Sequence, residues 1–273
     1  MQVVPLDNSV IFKKLFRDPE ILSAFFEDLT GIRLNLKPEH IELEKKFTPP
    51  VGLIDIEFDI FAEDPQRRII VEIQRIHYDN LLDRFIHYHF AAIMEMQRSY
   101  REYIPSRTVY TVIWLTSKAS EPPFNQGVSR SHFQFESTNG TRSAEYPHRI
   151  YIVNPNYLDQ SVPPPLSDWL KLVYESIKNP DDPEVNRERG IMEKALSLIA
   201  EEKITPTERA KIMDEKDYMR VRQRDKNEGA ETERNRLALE MLARGIDAAM
   251  VADICKMSEK EVQDLLSAST PSA

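Results

Sequence analysis

A chain of 273 residues, 41% hydrophobic and 30% charged, can hold one sizeable core with appendages or two small domains. No apolar run is long enough to cross a bilayer, the first residues lack the basic and apolar regions of a signal peptide, and the single cysteine, Cys255, excludes an internal disulfide and a Cys-based zinc cluster; a cytoplasmic protein is expected. The net charge of -9 excludes phosphate binding through the overall field, so any such contact must come from a local basic patch.

In chain order, Phe12, Leu15, Phe16, Ile21, Leu22, Phe25, Phe26 and Leu29 recur at spacings of three and four, predicting a helix over 8–31 that Gly31 stops. Pro19, just after Asp18, can divide it into two. Residues 39–47 read as a short strand or a linker. Over 54–61 apolar and acidic residues alternate strictly, setting Asp55, Glu57 and Asp59 on one strand face. A polar turn leads into 68–74, rich in β-branched residues, with Glu72 and Gln74 sharing a face; the two segments form a hairpin. Helical period returns over 79–100, and 109–115 is an apolar run that reads as a buried strand. A proline-bearing loop follows at 117–126. Residues 132–136 and 149–153 read as a second hairpin, with Asn139-Gly140 in its turn. The predicted core is thus α-β-β-α-β-β-β.

The stretch 155–165 is dense in Pro, Asn and Asp and marks a boundary, so domains are expected at 1–158, 159–240 and 241–273. Beyond it helices are predicted at 166–179, 184–202 and 205–240, with two short ones within 236–268. The span 201–240 mixes acidic and basic residues with few large apolar ones, as a long solvated helix or a partly disordered segment would. The last part has a helix-turn-helix-like pattern, with Ser258 as an N-cap and Glu261 completing a capping box. Acidic residues there, among them Asp253, Glu259, Glu261 and Asp264, argue against a phosphate-facing role and favour homodimerisation or partner docking.

The chemistry concentrates on the acidic hairpin. Carboxylates gathered from adjacent strands repel unless they are protonated, solvated or neutralised by a cation, and hard divalent ions prefer such oxygens. A bound ion of that kind polarises a phosphodiester and lowers the pKa of its water. Asp59, thirteen residues before Glu72-Ile73-Gln74, resembles the D…(D/E)XK signature of PD-(D/E)XK nucleases, in the branch where glutamine replaces the lysine. That branch comprises the transposase-like, recombination-promoting nucleases. Asp7 with Phe12-Lys13-Lys14-Leu15-Phe16, Asp28-Leu29-Thr30-Gly31, Arg84 with Tyr88, Tyr103 and the tail segments 241–245 and 257–262 are also similar to that family, although it often has a glycine where Lys256 or Met257 stands.

The resemblance implies an α/β restriction-endonuclease-like core, a central mixed sheet flanked by helices, with an all-α C-terminal extension. It implies Mg²⁺ or Mn²⁺ held by Asp59, Glu72 and the carbonyl of Ile73, with Gln74 in the place of the lysine that orients water or stabilises charge. Asp55 and Glu57 are candidate further ligands or plain surface. Lys13, Arg75 and Arg84 are candidate phosphate contacts; for these and for Arg67, Arg68, Arg98 and Arg101 ordinary ion pairing is the competing reading. His87 and His89, two apart on a helix, point to different faces and, like His77 and Tyr78, read as ordinary helix residues. The implied function is metal-dependent DNA endonuclease activity. The alternatives are a degenerate relative that binds DNA or a partner without cleaving, and a toxin or defence nuclease acting on RNA or foreign DNA.

Overall fold

The computed structural model describes residues 1–47, 56–76, 80–96, 105–159 and 161–269. Asp55, His77, Tyr78, Arg98, Arg101 and Tyr103 lie outside them. The chain forms two compact units, residues 1–209 and 210–273.

The first unit opens with α1 (Ser9–Phe16), whose first amides are capped by Asn8, and α2 (Pro19–Thr30). The break falls at the proline: Asp18 accepts from the amides of Glu20 and Ile21, Pro19 stands at the first turn, and Gly31 closes the helix at φ 73°. The strands are β1 (Ile41–Phe47), β2 (Ile56–Glu63), β3 (Arg67–Gln74), β4 (Thr108–Leu115), β5 (Val128–Arg130) and β6 (Arg149–Val153). They form a six-stranded sheet in the order β1-β2-β3-β4-β6-β5. The β1–β2, β2–β3 and β5–β6 pairs are antiparallel, whereas β3–β4 and β4–β6 are parallel. The α3 helix (Leu81–Met94) makes the crossover from β3 to β4.

The two sheet faces are packed differently. Leu81, Phe85, Tyr88 and Ala92 of α3 bury one face together with Phe47, Phe58, Phe61, Ile70 and Ile113. On the other, Trp114 lies among Phe12, Phe16 and Phe25, with ring centroids 5.3–6.3 Å away. Helices α4 (Pro164–Lys178) and α5 (Gly190–Ile199) complete that layer: Trp169 of α4 packs on Phe16 and Phe25, and its indole N–H donates to Asp28 at 2.7 Å. The first unit therefore continues past residue 158, the end expected for the core domain, and takes in the two helices that follow.

The hairpin expected from 132–136 and 149–153 is not what forms. The strand beside β6 is β5, in register Val128–Val153 to Arg130–Tyr151. Residues 133–146 instead fold back on themselves, the Ser143 amide donating to the Phe135 carbonyl and the Tyr146 amide to the Phe133 carbonyl. Gly140, at φ 83°, sits in the turn between these two arms.

The α6 helix (Pro206–Ala243) begins in the first unit and runs into the second. Within the second unit α7 (Ala248–Cys255) and α8 (Glu259–Ser269) bury Val251, Ala252, Cys255 and Val262 with Ala238 of α6. The two short helices expected in 236–268 are α7 and α8, and α6 runs three residues beyond its expected end at 240. The capping box forms: Glu261 accepts from the Ser258 amide at 2.6 Å and donates its own amide to the Ser258 hydroxyl at 3.2 Å. Lys256 takes φ 50°, a left-handed conformation natural to glycine. Among the described residues no helix is long and apolar enough to cross a membrane.

Candidate active site

Asp59 lies in β2 and Glu72 and Gln74 in β3, and the β2–β3 ladder ends next to them, at Ile60–Val71. One position further on, side chains replace the ladder. The Asp59 amide donates to Glu72 Oε1 at 3.0 Å, and the Ile73 amide donates to Asp59 Oδ2 at 3.0 Å. Each carboxylate is thereby fixed by the other's strand, and both point to the place where the strands part.

A break in β2 aims Asp59. Phe58 and Phe61 stack at 6.4 Å and both touch Phe47, at 5.1 and 5.5 Å. Residues three apart cannot share a face under strict alternation, so the strand kinks between them, at Asp59 and Ile60. Opposite Asp59 in β1 stands Glu44, which breaks the ladder between Leu43–Ile60 and Lys45–Phe58 and takes φ 54°. The expected strict alternation of 54–61 thus ends where the chemistry begins.

Lys13 reaches this place from α1. Its ammonium lies 3.0 Å from Asp59 Oδ1 and 3.1 Å from Glu44 Oε1. Burial lowers the Lys13 pKa, but the charge and hydrogen bond of Asp59, with those of Glu44, outweigh it and the net shift is upward. Glu72 is only 3% exposed; burial first, and then the Asp59 charge, push its carboxyl well above the usual range. The Asp59 amide, Arg84 and Lys13 offset part of that shift.

Gln74, buried, donates from its amide to the Ile76 carbonyl and accepts from Arg84 Nη1 at 3.4 Å. Arg84 is exposed, with its guanidinium over the rings of Tyr88 at 5.1 Å and Phe85 at 5.6 Å. Arg75 donates from Nε to the Asp7 carbonyl, tying the N-terminal segment to the end of β3. Glu57 is not gathered into the site; it is half-exposed and paired with Lys46 at 3.2 Å. Arg67 and Arg68 are held by Asp64 and by Glu63 and Glu95, as the ion-pair reading has it. His89 is buried beside Thr111 and is no part of the site.

Among the described residues no group of three or more His, Cys, Asp or Glu side chains stands ready to hold a metal. A cage is not required for Mg²⁺, which commonly takes one or two carboxylates and completes its shell with water and substrate phosphate. Burial and the Asp59 charge favour the protonated form of the Glu72 carboxyl, and a divalent ion bound beside Asp59 would favour release of that proton. The donor set Asp59, Glu72 and the Ile73 carbonyl therefore fits Mg²⁺ or Mn²⁺. Glu44, which the sequence reading left unassigned within a strand or linker, is the residue it missed. Only its lone acidic position opposite Asp59 could have flagged it, and that needed the β1–β2 register. No family model matches the chain, and no curated protein or solved structure matches it.

Proposed function

We propose that this protein is a divalent-metal-dependent endonuclease of the PD-(D/E)XK type, which hydrolyses DNA phosphodiester bonds and is related to the recombination-promoting, transposase-like nucleases. The observation that carries the reading is the mutual locking of Asp59 and Glu72 where β2 and β3 part, through the Asp59 amide on Glu72 and the Ile73 amide on Asp59. A mixed sheet with helices on both faces is compatible with a restriction-endonuclease-like core.

In this reading Asp59, Glu72 and the Ile73 carbonyl hold Mg²⁺ or Mn²⁺, which supplies Lewis-acid polarisation of the phosphate and a more acidic water. The water oxygen bonds to phosphorus as the bond from phosphorus to the leaving sugar oxygen breaks; water gives up a proton and the leaving oxygen gains one. Gln74, uncharged, orients water through its amide. Arg84, stacked on Tyr88 and within reach of Gln74, is the group best disposed to meet a phosphate oxygen. Arg75 serves to fix the strand end.

A second reading, a degenerate relative that binds DNA or a partner without cleaving, is favoured by one observation: the Lys13–Asp59 ion pair already neutralises the candidate ligand. The deciding assay is nicking of supercoiled plasmid by the full chain with Mg²⁺, Mn²⁺ or EDTA, beside Asp59→Ala. The expected result is metal-dependent nicking that falls by about 10²-fold or more in the variant. Wild type and variant equally inert on duplex DNA, single-stranded DNA and RNA would sink the nuclease reading in favour of binding. Cleavage of RNA alone would reassign the substrate.

A further inference from the structure

Lys13 has two carboxylate partners where one would neutralise it. Its ammonium is shared between Asp59 at 3.0 Å and Glu44 at 3.1 Å, with the lysine side chain 14% exposed and that of Glu44 61% exposed. The second partner is held at a cost, since a non-glycine residue in the left-handed region is disfavoured by about 1–2 kcal/mol and Glu44 stands at φ 54°. If Lys13 were only the counterion of Asp59, a relaxed β1 strand would serve as well. A strained, mostly solvated carboxylate that holds the same ammonium has a use once Asp59 is taken by something else.

We infer that Lys13 is a two-position cation, which competes for Asp59 when no divalent ion is held there and which Glu44 retains beside the bound phosphate once Asp59 and Glu72 hold one. This rests on the nuclease reading and deepens it. Phosphodiester hydrolysis builds negative charge on the phosphoryl and leaving oxygens, and a positive group placed there in advance lowers the barrier. Gln74 carries no charge, and Arg84 approaches the pair from the side of Gln74. Lys13 sits on the Asp59 side of the pair, anchored by α1, and needs only to give up one of its two contacts.

The test uses the full-length chain and reads Mn²⁺ affinity without nucleic acid, by calorimetry or electron paramagnetic resonance, beside the plasmid cleavage rate. Lys13→Met removes the competitor and the catalytic charge together, so Mn²⁺ should bind roughly tenfold more tightly. Its cleavage should slow by about 10²-fold. Glu44→Gln leaves the ammonium on Asp59 alone, so Mn²⁺ binding should weaken and cleavage slow. The double variant Lys13→Met/Gln74→Lys, which returns a charge from β3, should regain part of the lost rate. A Lys13→Met protein that loses affinity and rate together, or keeps both unchanged, overturns the inference. Wild type that binds Mn²⁺ but cleaves nothing overturns the nuclease reading instead, and the affinity comparison still decides whether Lys13 competes for Asp59.

Discussion

A neutral imidazole sealed in a protein interior makes stability depend on acid. His89 is 5% exposed, its Nδ1 lies 2.9 Å from the Thr111 hydroxyl, and burial, then the neighbouring His148, lower its pKa to about 3. In the unfolded chain the same group titrates near 6.5. Below that pH the unfolded state binds a proton that the folded state refuses, so stability is fully present above pH ~6.5 and is lost progressively down to pH ~3, by about 1.4 kcal/mol per unit at most. His148, lowered by burial and then by Arg149, adds a slope of the same sign; its Nδ1 accepts from the Val109 amide at 2.8 Å. His89→Gln should therefore flatten the fall of the thermal midpoint between pH 6.5 and 4. An unchanged slope would show that the loss comes from other groups.

At the scale of elements, the most confined of the described glycines is Gly127, just before β5. A Cβ there would stand 2.7 Å from the Tyr157 carbonyl oxygen and 2.8 Å from Val162 Cγ2. The Gly127 carbonyl also accepts from the Asn154 amide at 3.0 Å, so the backbone has little room to yield. Gly127→Ala should cost roughly 1–3 kcal/mol in denaturant unfolding, as overpacking does, and should weaken protection of the β5 amides against hydrogen exchange. Elements whose signals are local were legible from sequence: the helix break at Asp18-Pro19, the β2–β3 pair, β4 and the Ser258–Glu261 box. The error at 132–136 is equally physical. Phe133 and Phe135 alternate with polar residues as a half-buried strand does, but they are 55% and 72% exposed and pack on each other, with Phe133 also on Tyr146. Alternation reports an extended segment with two faces, not which strand it joins. In the same way Asp59, Glu72 and Gln74 could be named in advance, whereas Glu44 became visible only with the register of β1.

Over the whole molecule, the packed interiors of the two compact units are supported differently from the middle of α6, which belongs to the second unit. Between Ile212 and Ala238 none of the described residues is buried, and the helix is laced by exposed pairs such as Arg220–Asp217 at 2.8 Å and Arg236–Glu233 at 2.6 Å. Pairs of that kind contribute about 0.3–0.5 kcal/mol each and are screened by salt, while the first unit and the α7–α8 end of the second have packed interiors. Opening of this stretch should precede unfolding of either unit. Limited trypsin digestion is expected to cut first near Arg220 and Arg224, faster at high salt, leaving the β3–β4 region intact. First cuts within residues 1–209 would refute that order of stability.

The left-handed turn of Glu44 has a consequence for how copies of this chain meet. β1 is one border of the sheet, and among the described residues no strand pairs with its outer side, the side on which an extended segment could add. A strand that is bent at its middle and carries Glu42, Glu44, Lys45 and Lys46 presents no straight, apolar ribbon to such a visitor. The distortion that turns a carboxylate toward Lys13 thus also guards against sheet-to-sheet aggregation, and a flat, uncharged β1 would surrender both.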